Sequence, residues 1–259
     1  MDPLAILAGF GVGAIVGMTG VGGGSLMTPL LMGVFKLSPG LAIGTDLWFA
    51  ALTKSGGSWV HWRLGHVDTR ITVLMLCGSV PATLAMVALM HLTGITKGVD
   101  QGWSQLLTVT LGVALLLTAL CVAFRRKWQA LGLRLEGAFT PRQRDACTVA
   151  SGALLGVMVS LSSIGAGAIG ATILLLLYPR LPAHQVVGTD IAHAVPLTLI
   201  AGIGYATLGL VNWALLGALL VGSLPGIWLG SHLTRTMPEG LVRGLLCASL
   251  LGAGLKVLT

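Results

Sequence analysis

Ten apolar runs, at about residues 4–18, 25–35, 43–62, 71–91, 103–124, 145–161, 169–179, 187–208, 212–233 and 240–258, fill almost the whole chain. Only one long polar stretch separates them, from Arg125 to Arg144. A water-facing fold cannot hide that much apolar surface, because a soluble domain carries about a quarter charged residues and this one carries 9%. With 55% hydrophobic residues in 259 and a mean hydropathy of +0.93, the chain needs lipid as its solvent. Backbone polar groups in lipid must be satisfied within the chain, so the runs are read as helices, and most reach the roughly 20 residues that a bilayer core demands. The expected fold class is an all-α integral membrane protein.

A net charge of +7 does not point to nucleic acid, because the basic residues fall between the apolar runs, as positive-inside sorting requires. Cys77, Cys121, Cys147 and Cys247 are scattered, with no CxxC pair, and read as small buried hydrophobes. Asp2 stands where a signal peptide would have its basic region, so a cleaved leader is not expected. No HExxH, GxSxG or phosphate-loop motif is present. The expectation is therefore no enzyme, no cofactor and no metal.

Two Gly-rich turns interrupt the apolar pattern. Thr19 to Ser25 reads TGVGGGS and Ser162 to Gly167 reads SSIGAG, each between runs too short to span comfortably. Irregular backbone at membrane depth is tolerated where it lines a cavity or is buried in protein. Two such breaks at matching places in two halves are a pointer to a transporter's binding site.

The halves match at an offset of 144 residues. Gly44-Thr45-Asp46 recurs as Gly188-Thr189-Asp190, Gly65 as Gly209, Val67-Asp68 as Val211-Asn212, and Gly78-Ser79-x-Pro81 as Gly222-Ser223-x-Pro225. The Gly turns align with a one-residue slip, Gly22-x-Gly24 against Gly165-x-Gly167. Five segments per half is an odd number, so the second half should be inverted in the membrane. The expected layout is a first membrane repeat over 1–124, a cytoplasmic basic linker over 125–144, read as a solvated connector, and a second membrane repeat over 145–259. Broken or short helices are expected at the turns.

Placing the linker inside puts Arg63, Arg70, Arg125, Arg126, Lys127, Arg134, Arg142, Arg144, Arg180, Arg235 and Arg243 inside, and only Lys36, Lys97 and Lys256 outside. Both termini are then expected outside the cytoplasm. Glycines four apart (Gly9/Gly13/Gly17, Gly152/Gly156, Gly226/Gly230, Gly240/Gly244) read as close helix packing. Trp59, Trp62, Trp103 and Trp213 read as interfacial anchors. Pro29, Pro196 and Pro225 are expected to kink or break their runs.

A helix that starts just after a Gly turn aims free N–H groups and the positive end of its dipole at the preceding loop. Thr19, Gly22, Gly23, Gly24, Ser25, Ser162, Ser163, Gly165 and Gly167 would then form an anion cradle, joined by Thr45 and Thr189. Ionisable residues inside apolar runs are costly and usually functional. They are Asp46, Lys54, Asp190 and His193. Lys54 suits an anion path or a pairing with an aspartate. Asp190 and His193, three apart on one face, suit a hydrogen-bonded pair for proton coupling. The alternatives are helix caps for the two aspartates and a satisfied core histidine. His61, His66, His91, His184 and His232 fall near segment ends and read as interface residues.

These residues resemble the TauE/SafE family of sulfite exporters. The resemblance rests on GxGGGSLxxPLL at Gly20 to Leu31, the paired GTD motifs, HWRLGHVD at His61 to Asp68, and GSxP in both halves. It implies a bacterial inner-membrane carrier that moves sulfite or small organosulfonates outward. The expected partners are a small anionic substrate and the bilayer, with a homodimer among the expected assemblies. A channel for anions or small solutes, or a carrier for another organic anion, stays open as the alternative reading.

Overall fold

The computed structural model describes residues 3–19, 24–93, 101–233 and 239–258. Gly22 and Gly23 lie outside the described residues, as do Lys97, Arg235 and the side chains of Thr19 and Arg243. Among the described residues the regular structure is entirely helical. In order the helices are α1 (Pro3–Thr19), α2 (Gly24–Gly33), α3 (Pro39–Arg63), α4 (Thr69–Leu92), α5 (Gln101–Ala123), α6 (Arg125–Leu135), α7 (Pro141–Ser162), α8 (Ala168–Leu177), α9 (Ala183–Thr207), α10 (Trp213–Leu233) and α11 (Glu239–Leu258). Each of the ten apolar runs forms a helix. Among the described residues five of them, α4, α5, α7, α9 and α10, are long and apolar enough to cross a membrane. α3 matches their length, but Asp46, Lys54 and Arg63 lower its hydropathy.

The short helices follow the Gly turns. α2 and α8 have 10 residues each, about 15 Å, half of a core of about 30 Å. α8 doubles back along α7: Tyr178, just past its end, is hydrogen-bonded through Oη to Thr148, near the start of α7, at 2.8 Å. The α7–α8 pair is thus a hairpin that returns the chain to the side it left.

α3 and α9 form the centre. From Gly40 to Ala51 nearly every residue of α3 is buried, as are 13 residues of α9 between Val186 and Tyr205. Around them α1 lies on α10 and α4 on α7, at backbone contact. A Cβ on Gly9 or Gly13 would run into the carbonyls of Leu219 or Ser223, and one on Gly152 or Gly156 into those of Met75 or Ser79. Leu219 and Ser223 lie 144 residues after Met75 and Ser79, so the same contact is made twice. This is the close approach that small residues permit in lipid. Gly244, by contrast, meets nothing.

The turns that leave α3 and α9 also match. Gly65 and Gly209 adopt φ of 69° and 71°. Asp68 caps α4 by accepting from the Ile71 amide at 3.0 Å, and Asn212 accepts from the Leu215 amide at 3.1 Å. In each turn the capping residue's own amide donates to a threonine of the other half: Asn212 to Thr45 Oγ1 and Asp68 to Thr189 Oγ1, both at 3.0 Å.

Several expectations need correction. Of the kinks or breaks expected at Pro29, Pro196 and Pro225, the breaks do not occur: α2, α9 and α10 continue through them, because membrane helices can re-satisfy the freed carbonyls locally. The linker is not a bare connector. Its first half is α6, whose Gly132 packs against the carbonyls of Leu175 and Leu176 at the end of α8. Cys77 is exposed rather than buried. Trp59, Trp62 and Trp213 are exposed at helix ends, whereas Trp103 packs against the central core.

The distribution of polarity suits lipid. Leu7, Leu84, Leu154, Leu224 and Trp228 are more than half exposed, while Thr28, Asp46, Ser79, Asp190 and His193 are buried. A water-soluble fold shows the reverse.

Candidate functional site

The second Gly turn is built from unusual backbone. Ser163 closes α7 in the left-handed region (φ 58°) and Gly165 and Gly167 adopt φ of 138° and 135°, values that an L side chain would strain. Gly167 caps α8 without a side chain. The Gly170 and Ala171 amides return to the Gly165 and Gly167 carbonyls. In a helix that starts here, the Ala168 and Ile169 amides have no intrahelical acceptor.

A cavity of about 10 Å³ sits on this turn, room for about one water molecule. Its lining is Ser25 from the start of α2, Thr118 from α5, and Ser163, Ile164, Gly165, Ala166 and Ala168. Ser25, which ends the first Gly-rich stretch, and the second Gly turn, far apart in sequence, therefore meet at one buried polar spot. Ser163 Oγ is buried there without a hydrogen-bond partner.

The ionisable residues gather beside it. Asp46 is fully buried in α3, two turns from the helix start, and accepts a hydrogen bond from Thr28 Oγ1 of α2. The Ser163 side chain lies near enough to act on the carboxylate, whose Oδ1 makes no hydrogen bond. Lys54, partly buried, donates from Nζ to the Ala166 carbonyl at 2.9 Å and faces both Asp46 and Asp190. Asp190 sits against the start of α8: the Gly167 amide acts on its carboxylate, and a Cβ on Gly170 would collide with Oδ1. That Oδ1 has no hydrogen-bond partner. Asp46 and Asp190 are therefore interior groups of α3 and α9, not helix caps; Ser38 and Pro182 hold the cap positions.

Other expected members are spent elsewhere. Thr45 and Thr189 tie their helices to the α9–α10 and α3–α4 turns and do not line the cavity. Ser162 Oγ donates to the Met158 carbonyl at 2.7 Å and accepts from the Ile164 amide at 3.2 Å, which holds the turn's shape. His193 does not pair with Asp190. Its Nε2 meets Ser79 Oγ of α4 at 2.9 Å, and its Nδ1 is buried without a partner.

Sequence reading missed Thr28, Ser79, Thr118, Gly170 and the Ala166 carbonyl. Ser79 carried a signal, being part of the repeated GSxP. The others gain meaning only from their partners in space. Away from this site, His66 stacks near His61 and His184, with ring centroids 5.5 and 4.5 Å apart. Among the described residues no group of side chains is arranged to hold a metal ion.

Comparison with known proteins covers the whole chain. A family model described as sulfite exporter TauE/SafE matches residues 5–257. "Probable membrane transporter protein YjnA" of Bacillus subtilis (strain 168) is 34% identical, over the full length of both chains. "Probable membrane transporter protein YdhB" of the same organism is 29% identical over 98% of this chain and 99% of its own. A "Probable membrane transporter protein" of Xylella fastidiosa (strain Temecula1 / ATCC 700964) is 27% identical over 87% of this chain and 82% of its own. No solved structure matches.

Proposed function

The chain belongs to the sulfite exporter TauE/SafE family, a multi-pass membrane transporter, and from that premise we propose that it carries small sulfur-containing oxyanions, sulfite or organosulfonates, outward across a bacterial inner membrane. The observation that carries this reading is the buried cavity shared by Ser25, Thr118, Ser163 to Ala166 and Ala168, with the start of α8 and Lys54 beside it. Helix N-termini and buried hydroxyls suit a compact oxyanion. Lys54 supplies a positive charge, while Asp190 and His193 carry proton coupling.

The mechanism is alternating access between two inverted repeats, 1–124 and 145–259, joined by the cytoplasmic linker 125–144, with both termini outside. Support comes from the contacts that recur 144 residues apart: α1 on α10 and α4 on α7 at glycine, and the reciprocal Thr45–Asn212 and Thr189–Asp68 bonds. A cavity of about one water's volume is too small for a sulfonate, so binding requires α2, α8 or their neighbours to move apart.

Flux into proteoliposomes, measured for sulfite and a set of small sulfonates, tests the reading. Saturable flux with competition among these anions is expected. Flux that rises without saturation would favour a channel, and no anion-dependent flux at all would sink the carrier.

A further inference from the structure

The start of α8 favours a negative charge, and the chain already supplies one. Asp190 is 3% exposed, lies against Gly167 and Gly170, and keeps one carboxylate oxygen without a hydrogen-bond partner. Its equivalent in the first half differs. Asp46 accepts from Thr28 Oγ1, whereas the threonine 144 residues on, Thr172, donates to the Ala168 carbonyl at 2.7 Å. Each carboxylate thus keeps one oxygen without a partner, but Asp46 takes a hydroxyl donor whereas Asp190 is met by the Gly167 amide at the start of α8.

Charge decides what an incoming anion would meet. The titratable group that faces Asp190 is Lys54 of α3, which also faces Asp46 of its own helix and His193 of α9. The faces of α4, α7 and α8 packed here contribute hydroxyls and glycines: Ser79, Ser163, Gly167 and Gly170. With both aspartates ionised, the single Lys54 leaves them an excess negative charge. A second uncompensated negative charge in a water-poor interior costs several kcal/mol.

We propose that the Asp190 carboxylate occupies the α8 N-terminus as a tethered stand-in for the transported anion. The substrate takes that place only as Asp190 binds a proton. The exchange balances: one monovalent anion and one proton enter together, the proton goes to a carboxylate oxygen of Asp190, and the site's charge is unchanged. The inference rests on the anion-carrier reading and adds to it a fixed coupling of proton to anion at one named residue.

The test is proton uptake on binding, read with an indicator dye in weakly buffered detergent solution. The titrant is the tightest binder among small sulfonates, whose own charge does not change near neutrality. About one proton taken up per anion is expected for the wild-type protein, with affinity weakening about tenfold per pH unit as pH rises. Asp190→Asn keeps the shape and should bind with no uptake and a flat pH profile. Binding by the wild type without uptake would overturn the inference and leave the carrier reading standing, whether or not the variant folds. Equal uptake by wild type and Asp190→Asn would remove Asp190 from the role. If no sulfonate or sulfite binds the wild type at all, the carrier reading itself fails.

Discussion

Thr28 is the only side chain that hydrogen-bonds the Asp46 carboxylate among the described residues. A buried acceptor stripped of its donor loses about 1–3 kcal/mol. Thr28→Val, which keeps the shape, should therefore lower the unfolding temperature measurably in detergent, and an unchanged melting curve would show that Asp46 needs no donor there. Lys54 is the second residue to probe. Its Nζ holds the Ala166 carbonyl and faces two aspartates, so Lys54→Met removes the positive charge from the anion's surroundings. Anion affinity should fall at least tenfold, about 1.4 kcal/mol. The same change leaves two carboxylates unbalanced, so adding Asp190→Asn should restore part of the lost stability without restoring full affinity. A double-mutant cycle reads that coupling, and strict additivity would mean that Lys54 and Asp190 do not interact. The sequence offers Lys54, Asp46 and Asp190 directly, because an ionisable residue in an apolar run stands out. It could not offer their partners. Thr28 lies 18 residues from Asp46 and the Ala166 carbonyl 112 from Lys54, and serines and threonines in membrane helices are common enough to carry no mark of their own.

At the scale of helices the sequence is far more legible. Each of the ten apolar runs is a helix because lipid leaves the backbone no other solution, and the Asp68, Asn212 and Thr140 caps fall where turn chemistry puts them. What hydropathy could not yield is α6, a basic helix whose contacts with α8 depend on Gly132. Nor could it tell a spanning helix from a half-spanning one: α8 is as apolar as any, and only its length of 10 residues and the Tyr178–Thr148 bond reveal the return. Glycine spacing can be put to a sharper test, because not every glycine packs. A Cβ at Gly78 or Gly222 would enter the carbonyl of Val149 or Ile6, while one at Gly11 meets nothing. Gly78→Leu and Gly222→Leu should each cost about 3 kcal/mol or more through overpacking and abolish the monodisperse peak in detergent chromatography. Gly11→Leu, at an exposed position of α1, should elute and melt like the wild type. Equal damage at all three positions would mean that glycine serves the helices by something other than close approach.

For the whole molecule the question is which end faces the cytoplasm. The fold gathers most of the basic residues at one end: Arg70 pairs with Asp145 at 2.7 Å, Arg180 with Glu136 at 2.9 Å, and Arg144 donates to the Glu136 carbonyl at 3.2 Å. Those contacts bring the starts of α4 and α7 and the end of α8 to the level of α6, which adds Arg125, Arg126, Lys127 and Arg134. At the opposite end, Phe35 and Leu37 meet the start of α10 in a groove with no acidic or basic lining residue. Arginine and lysine in short loops stay on the cytoplasmic side, so the α6 end should face inward. The proposed inverted pairing gives each half three full crossings, with α7–α8 and α1–α2 as returning hairpins, and so expects the termini on the side away from α6. A fluorescent protein that folds only in the cytoplasm separates the cases. Inserted at Gly137, which is exposed and has open space around it, it should glow; fused after Thr259, it should stay dark. Fluorescence from both positions would place an even number of crossings in the second half and break the inverted pairing, while the reverse pattern would keep the pairing and turn the carrier, with its proposed direction of export, upside down.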